Sequence, residues 1–364
     1  MYDKLTITYY DYANIYYSSF FLSGFMEYHS KLNYRFVVTR RIPSLLKHPS
    51  MSGEWVNILF NMCLFKISLP NENYYICIDT RDQNNTRTGM GYHLPLLKEV
   101  KYYFKVNYNT DEVENDPILK KYSEKIMPIP LFFPIKMPSL IDFRPRLLPC
   151  RFINWKTTNI KGRIRALYDL LSLEEMVQYR NTKKDLDLFF VTTYYNQKHH
   201  APAMEFRYQI MKEIKNNKDI NSVIGFTNYK DLPKEYSAFK FNQSDTRHYL
   251  NNVSRAKVAI YVRGLHNCLS FKLGQLLCMG MPIIGQSIVN NKSILYSNLY
   301  FKEQFAYDDP CLIVQKAIEL LNQPEKMSIL GKANAETIDS KYTPNKIIAD
   351  ILMQMSINID TTSV

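Results

Sequence analysis

The chain has 364 residues, which suits two domains of ordinary size, and its 46% hydrophobic and 22% charged residues exclude a disordered protein. The formal net charge of +12 favours an anionic partner such as nucleotide phosphates, nucleic acid or an acidic membrane surface. Basic residues are dispersed, with no block of five or six like charges, and this argues against a basic tail that grips nucleic acid.

Cysteines and hydrophobic runs bear on the cellular compartment. No stretch approaches eighteen uninterrupted apolar residues, and residues 1–12 lack an apolar signal core. The cysteines form no CxxC pair and lie in mostly apolar surroundings, which predicts reduced, buried thiols. They are Cys63, Cys77, Cys150, Cys268, Cys278 and Cys311. We therefore expect a cytoplasmic protein that is soluble or attached peripherally to the inner face of a membrane.

Strands and helices alternate along the first 135 residues. The hydrophobic pattern predicts strands at 5–10, 34–39, 74–78 and 102–106, with helices at 18–28, 54–64 and 94–100. This spacing implies parallel crossover units and hence an α/β domain. The strongest strand, 74–78, is followed by Asp79 and Asp82, and open α/β sheets place their ligands just past the carboxyl ends of strands.

A proline-rich segment separates this region from the next. The prolines disfavour a helix or a central strand there, and they are Pro128, Pro130, Pro134, Pro138, Pro145 and Pro149. A helix is predicted at 160–179. We expect an N-terminal α/β domain at 1–136, a linker and helix at 137–184, a C-terminal domain at 185–342, and a final helix with its tail at 343–364.

The second domain repeats the alternation of strands and helices. Strands are predicted at 186–192 and 222–226, with a helix at 203–215 and another from Asp245 to Arg255. Later helices begin at Pro310, Pro324 and Pro344, because proline fits the first turn of a helix.

The stretch at 258–286 is the centre of this domain. It reads as a strand, a polar turn, a helix capped by Ser270 and, after Gly280 and Pro282, a second strand. Such a turn directs backbone amides and the positive end of a helix towards one point, close in sequence to Arg263 and His266. The pattern favours a phosphate site. An ordinary strand–helix–strand unit without a ligand is the alternative.

This stretch resembles the donor-nucleotide loop of GT-B glycosyltransferases, particularly exostosin-like and related bacterial surface-polysaccharide enzymes. The shared pattern is a glycine, a serine followed two residues later by a basic residue, and a helix ending in Gly-x-Pro-hydrophobic. It consists of Gly264, Ser270, Lys272, Gly280, Pro282, Ile283 and Ile284. The resemblance extends more loosely over residues 186–350. It implies two Rossmann-like domains with a cleft between them and a C-terminal helix that crosses back.

The resemblance also implies a donor site. Ser270 and Lys272 would hold the diphosphate of a nucleotide-sugar, and Arg207 would be a bidentate partner. Many retaining members carry paired glutamates, and Asn267 and Gln275 stand in their place, which favours inversion. The expected donor-binding set is Arg207, Arg263, His266, Asn267, Ser270, Lys272 and Gln275. His199 and His200 would face the donor phosphates, with a solvated loop as the alternative.

Inverting transfer needs a base that deprotonates the acceptor hydroxyl. The candidates are Asp79, Asp82 and His93, with Asp11 behind them. Asp79 is favoured because it ends the best strand, although a helix cap or a salt-bridge partner would explain it equally well.

The sequence offers little support for a metal cofactor. The pair Asp185 and Asp187 fits the acid-x-acid signature of metal-dependent GT-A enzymes, but it precedes its strand, whereas the metal-holding pair normally follows one. GT-B enzymes generally need no metal, because positive side chains and helix ends neutralise the diphosphate. We expect no metal and no cofactor other than the nucleotide-sugar itself.

The resulting hypothesis is a glycosyltransferase that moves a sugar from a nucleotide diphosphate donor to a hydroxyl of a glycan or lipid-linked glycan. Such a reaction would belong to polysaccharide or lipopolysaccharide biosynthesis, with a membrane surface as a further partner. Two alternatives stay open: a DNA-modifying glucosyltransferase, and a non-enzymatic protein that binds nucleic acid or a partner. A nucleic-acid partner is the less favoured of these expectations.

Overall fold

The structure is a computed structural model that describes residues 5–32, 34–39, 41, 43–47, 59–86, 91–137, 168–227, 232–242 and 245–357. The chain divides into two compact units, Met1–Ser172 with Ser340–Val364, and Leu173–Asp339. Residues 173–184, which the sequence places in the linker, thus belong to the second unit. They belong there because a helix at Leu173–Gln178 packs against the helix at Phe271–Cys278 of the second unit.

The first unit contains a six-stranded mixed sheet. Its strands are β1 (Thr6–Tyr10), β2 (Arg35–Thr39), β3 (Met62–Ser68), β4 (Asn73–Asp79), β5 (Tyr102–Lys105) and β6 (Ile126–Pro128), in the order β2-β1-β3-β4-β5-β6. Strand β3 is antiparallel to both of its neighbours, and the other pairs are parallel. The α-helices are α1 (Ile15–Leu32), α2 (Leu94–Glu99), α3 (Thr110–Asn115), α4 (Pro117–Lys120) and α13 (Pro344–Gln354).

The antiparallel strand β3 corrects the carboxyl end of the helix predicted at 54–64, of which residue 59 is helical. Residues 62–64 belong to β3, while 54–58 lie outside the described residues. The run Met62–Phe65 is apolar at every position and fully buried, so it has no period that distinguishes a strand from a helix. Pairing with β1 on one side and β4 on the other decides the conformation.

The second unit contains a five-stranded sheet in which all pairs are parallel. Its strands are β7 (Leu186–Thr193), β8 (Ser222–Thr227), β9 (Ala256–Tyr261), β10 (Ile283–Gln286) and β11 (Phe305–Tyr307), in the order β11-β10-β9-β7-β8. The α-helices are α5 (Leu173–Gln178), α6 (Ala201–Asn216), α7 (Thr246–Ser254), α8 (Phe271–Cys278), α9 (Lys292–Leu295), α10 (Leu299–Gln304), α11 (Pro310–Leu321) and α12 (Pro324–Thr337).

Several sequence predictions are confirmed by these elements. The α/β class with two Rossmann-like sheets is confirmed, and so are the helix starts at Pro310, Pro324 and Pro344. The helix predicted at 160–179 is only partly confirmed, because residues 170–172 are not helical and α5 covers Leu173–Gln178, while residues 160–167 lie outside the described part of the chain. Among the described cysteines, four are buried free thiols as expected, but Cys311 is exposed. Every described helix is too short or too polar to span a lipid bilayer.

Helix α1, near the start of the chain, packs against α13, near its end, and both helices belong to the first unit. A β-carbon added at Gly24 of α1 would lie 2.4 Å from the carbonyl oxygen of Pro344 and 2.6 Å from Cγ1 of Ile348. Glycine normally weakens a helix interior, so its presence here reflects the close approach of the two helices.

We predict that Gly24→Ala destabilises the protein by about 1–3 kcal/mol, because the added methyl group overpacks the interface between α1 and α13. The measurement is the free energy of unfolding in urea. Ser23→Ala is the matched control, because Ser23 is the preceding α1 residue and its buried hydroxyl has no hydrogen-bond partner among the described residues. Equal stability of the two variants would contradict the close approach.

Candidate functional site

The sheet of the second unit has a topological switch point between β7 and β9. Strand β7 continues through α6 to β8 on one side, whereas β9 continues through α8 to β10 on the other. The loops that leave adjacent parallel strands in opposite directions open a crevice at their carboxyl ends, where open α/β sheets bind ligands. These are the loops at 194–200 and 262–270.

The loop after β9 is held in one conformation by its own backbone. The amide of Gly264 donates to the carbonyl of Cys268 (2.9 Å), and the Cys268 amide donates to the Leu265 carbonyl (3.1 Å). A β-carbon on Gly264 would lie 2.3 Å from the Cys268 sulfur, so a larger residue would require the Cys268 side chain to move. His266 and Asn267 have left-handed φ angles of 56° and 61°, and such backbone strain in non-glycine residues concentrates at functional sites.

The loop after β7 brings two histidines to the same place. A 3-10 turn at Lys198–His200 leads into α6, and His200 is buried while His199 is exposed. The ring centroid of His266 lies 5.4 Å from that of His200 and 6.1 Å from that of His199. Burial, followed by the charges of the neighbouring histidines, lowers the pKa of His200. Nothing in the sequence spacing indicates this three-histidine cluster, because tertiary structure brings its members together.

Arg207 ties the two loops together. Its guanidinium is buried and donates to the carbonyl of Thr193 (3.0 Å) at the end of β7 and to that of Arg263 (3.1 Å) just after β9. The resemblance to GT-B enzymes implies a bidentate phosphate ligand at this position. In the structure, the Arg207 guanidinium is buried and bonds to two strand ends. Its positive charge would still attract a phosphate bound nearby.

Lys272 and Ser270 occupy the start of α8. The Ser270 hydroxyl accepts the Lys272 amide (3.4 Å) and so caps the helix as the sequence predicts. The Lys272 ammonium donates to the Val191 carbonyl (2.7 Å) and lies 4.7 Å from the centre of the Tyr249 ring. Burial, followed by the charge of Arg207, lowers the pKa of Lys272 to about 7.

Among the other expected donor-binding residues, Arg263 and Asn267 lie in the loop after β9, whereas Gln275 does not. The Arg263 side chain pairs with Asp308 (2.9 Å), and its amide donates to the Gln286 side chain (3.1 Å). Asn267 lies in the loop, where its carbonyl accepts the Asn290 side chain (3.2 Å). Gln275, in contrast, is buried within α8. The structure therefore gathers His266, Asn267, Arg263 and Arg207 at the switch point.

In the first unit, Asp79 is the centre of a buried ion cluster at the end of β4. Its carboxylate accepts two bonds from the Arg81 side chain (3.0 and 3.1 Å), one from the Tyr103 hydroxyl (2.5 Å), and pairs with the Lys105 ammonium (3.2 Å). Asp79 and Lys105 are completely buried. Burial alone would raise the pKa of Asp79, but Arg81 and Lys105 outweigh it and lower the pKa to about 2.

This geometry corrects the choice of Asp79 as the general base. A carboxylate with a pKa near 2 and no exposure is a weak, inaccessible proton acceptor. His93 caps α2 by accepting the Leu96 amide (3.1 Å), and burial, followed by repulsion from Arg81, lowers its pKa to about 4. Asp11 is buried as well. Asp82 differs from these three because it is exposed.

The carboxylates of the acid-x-acid pair have basic partners. Asp185 pairs with Arg255 (2.7 Å) and Asp187 with Lys257 (2.8 Å). Both carboxylates lie at the start of β7, at the edge of the sheet opposite to the switch point. They serve as ion-pair partners at the amino ends of β7 and β9.

Comparison with known proteins yields distant structural similarities. No family model matches the chain, and no curated protein matches it. The chain is similar to a S. aureus TarM variant solved with fondaparinux, α-GlcNAc-glycerol and UDP (10% identity, TM-score 0.44, 76% of this chain and 49% of that one). It is also similar to a T4 phage BGT variant in complex with UDP-glucose (11% identity, TM-score 0.36, 78% of this chain and 82% of that one). A third similar structure is a Neisseria meningitidis UDP-GlcNAc 2-epimerase bound to UDP-GlcNAc (12% identity, TM-score 0.41, 76% of this chain and 69% of that one).

The chain thus spans about half the length of the TarM chain that it matches. At these identities and TM-scores the similarities assign neither a family nor an activity. The α/β assignment rests on the strand order of the two sheets.

We predict that Asp79→Asn destabilises the protein by about 3–5 kcal/mol, because it leaves the buried charges of Arg81 and Lys105 uncompensated. The free energy of unfolding at neutral pH is the measurement. Glu72→Gln is the control, since its ion pair with Lys101 is exposed and such pairs contribute about 0–1 kcal/mol.

The pH dependence follows from the same carboxylate. The folded pKa of about 2 lies below the ordinary 3.8, so the stabilisation by Asp79 is complete above about pH 4 and is lost as the pH falls through 2. Asp79→Asn should therefore reduce the acid-dependent loss of stability between about pH 4 and about pH 2. An unchanged acid transition would contradict this role.

Proposed function

We propose that the protein is a glycosyltransferase that moves a sugar from a nucleotide diphosphate donor to an acceptor hydroxyl. The observation that carries this proposal is the concentration of positive charge at the switch point of the second unit. Within the described part of the chain, Arg263 pairs with Asp308, while neither Arg207 nor Lys272 pairs with a carboxylate. A buried cation without a counterion is costly, and an anionic ligand at this crevice would relieve that cost.

The departing diphosphate accounts for this arrangement chemically. Negative charge develops on the leaving group as the sugar is transferred, and fixed positive charges in a partly dry site stabilise it more strongly than water does. Arg207 contributes through its charge, since its N–H groups hold backbone carbonyls. The capped start of α8 adds the positive end of a helix.

We further propose that the transfer needs no magnesium ion. Magnesium prefers oxygen ligands, and Asp308, the carboxylate beside Arg263, is already paired with that arginine. Arg207, Arg263, Lys272 and the helix end then take over the neutralisation that a metal provides elsewhere.

For the acceptor side we propose Asp82 as the base of an inverting, single displacement. It is the exposed carboxylate among the sequence candidates and follows the same strand end as Asp79. The Asp79 cluster would then be the rigid support beside it.

The acceptor that we propose is a glycan or lipid-linked glycan of a polysaccharide or lipopolysaccharide pathway, met at the inner face of a membrane. The charge of +12 supports an anionic acceptor or surface. The same charge favours glucosylation of DNA as the second candidate. Duplex binding whose affinity falls steeply with salt would support that candidate, whereas transfer to glycan without duplex binding would exclude it.

The donor is tested by a thermal-shift screen against UDP-, GDP-, CDP- and ADP-linked sugars. We predict that one nucleotide class raises the melting temperature and that Lys272→Ala and Lys272→Met weaken this response, because both remove a positive charge near the diphosphate. Lys272→Met separates the loss of charge from the loss of packing, because the methionine side chain would still cover the Tyr249 ring. A wild-type response in both variants would remove Lys272 from the donor site.

We also predict that affinity for the nucleotide-sugar falls as the pH rises above about 7. The pKa of Lys272 is about 7 without ligand, and a bound diphosphate would raise it, so binding takes up a proton above that pH. The decline should approach about tenfold per pH unit at most and should disappear in Lys272→Met. Calorimetric titrations across this range measure it, and an identical pH profile in both proteins would contradict the linkage.

Asp82→Asn tests the catalytic assignment. We expect transfer to fall by about 100-fold or more because the acceptor hydroxyl loses its base, while the thermal response to the nucleotide-sugar is unchanged. Glu72→Gln, which alters an exposed carboxylate of the same unit, should leave transfer intact. Full transfer by Asp82→Asn would exclude this residue as the base.

A further inference from the structure

We infer that His199, His200 and His266 form a binding site for a transition-metal ion of the zinc type. Each offers one imidazole nitrogen, and these three nitrogens lie within 4.8 Å of one another. The site goes beyond the proposed glycosyl transfer, which uses no metal, and it stands on the arrangement of these side chains alone.

The distances suit an ion after a small adjustment. In a tetrahedral zinc site with Zn–N bonds of about 2.0–2.1 Å, two ligand nitrogens lie about 3.4 Å apart. His200 is buried, whereas His199 and His266 are exposed.

The surrounding backbone holds the three histidines near one another. Arg207 ties the strand ends from which both loops leave, at Thr193 and Arg263. The hydrogen bond between Gly264 and Cys268 closes the turn that contains His266. A metal ion would therefore meet a largely assembled site, and assembly on binding would cost little entropy.

The choice of ligand atoms sets the class of metal. Imidazole nitrogens suit zinc, copper, nickel and cobalt, whereas magnesium and calcium require oxygen ligands. Three ligands leave the fourth position of a tetrahedral ion open to water or an anion. An anion there would offset the repulsion between the ion and the nearby charge of Arg207.

The test uses the full chain without any nucleotide. After treatment with a chelator, Zn²⁺ is titrated by calorimetry, and Co²⁺ is titrated by its visible absorption, which is strong for tetrahedral coordination. The variants are His199→Ala and His266→Asn, and asparagine is chosen because it tolerates the left-handed backbone at position 266. His248→Ala is the matched control, since His248 is an exposed histidine on α7 of the same unit.

We expect one ion per chain, a tetrahedral Co²⁺ spectrum, and a loss of affinity of at least about tenfold in His199→Ala and in His266→Asn, with His248→Ala unchanged. Wild-type affinity in the two site variants would overturn the inference, and so would an equal loss in His248→Ala. An unchanged melting temperature of the metal-free variants shows that the fold persists. Because no nucleotide is present, failure here leaves the donor site proposal untouched.

Discussion

The link that Arg207 makes between two strand ends is the interaction on which the candidate site depends. Strands β7 and β9 are neighbours, but the chain leaves them in opposite directions, and a buried guanidinium bonded to a carbonyl on each side fixes their separation. Hydrogen bonds to charged groups contribute about 1.5–3 kcal/mol each, so this contact is strong enough to hold two loops. The histidine cluster lies on the two loops that leave these strand ends.

The first unit uses buried charge differently. There Arg81 and Lys105 both pair with the Asp79 carboxylate within one buried cluster. At the switch point of the second unit, Arg207 and Lys272 bond to carbonyl groups, and among the described residues neither pairs with a carboxylate. Cations that contact a carboxylate within the protein hold its structure together, whereas buried cations that contact carbonyl groups attract an anion. This difference is the physical basis for proposing that the donor binds in the second unit and for treating Asp79 as structural.

The errors of the sequence analysis have identifiable causes. Residues 62–64, at the start of β3, are predicted to end a helix because their apolar run has no period, and only the two neighbouring strands in the sheet distinguish the alternatives. The position of Asp79 at a strand end indicates a ligand site and so predicts a base. That position does not reveal that the Asp79 side chain is completely buried. Arg207 was expected to face phosphate, since a sequence shows a positive charge on a helix without showing which groups it contacts.

The sequence by itself determined the α/β class, most strand positions, and the helix starts at Asp309, Ser270 and Asp245, because alternation, capping and proline act between residues close along the chain. It also singled out the turn after β9. Tertiary structure alone decided that His199 and His200 meet His266, that Asp79 is enclosed by cations, and that β3 runs antiparallel. These features depend on contacts between segments that are distant along the chain, and local sequence patterns do not predict which segments become neighbours.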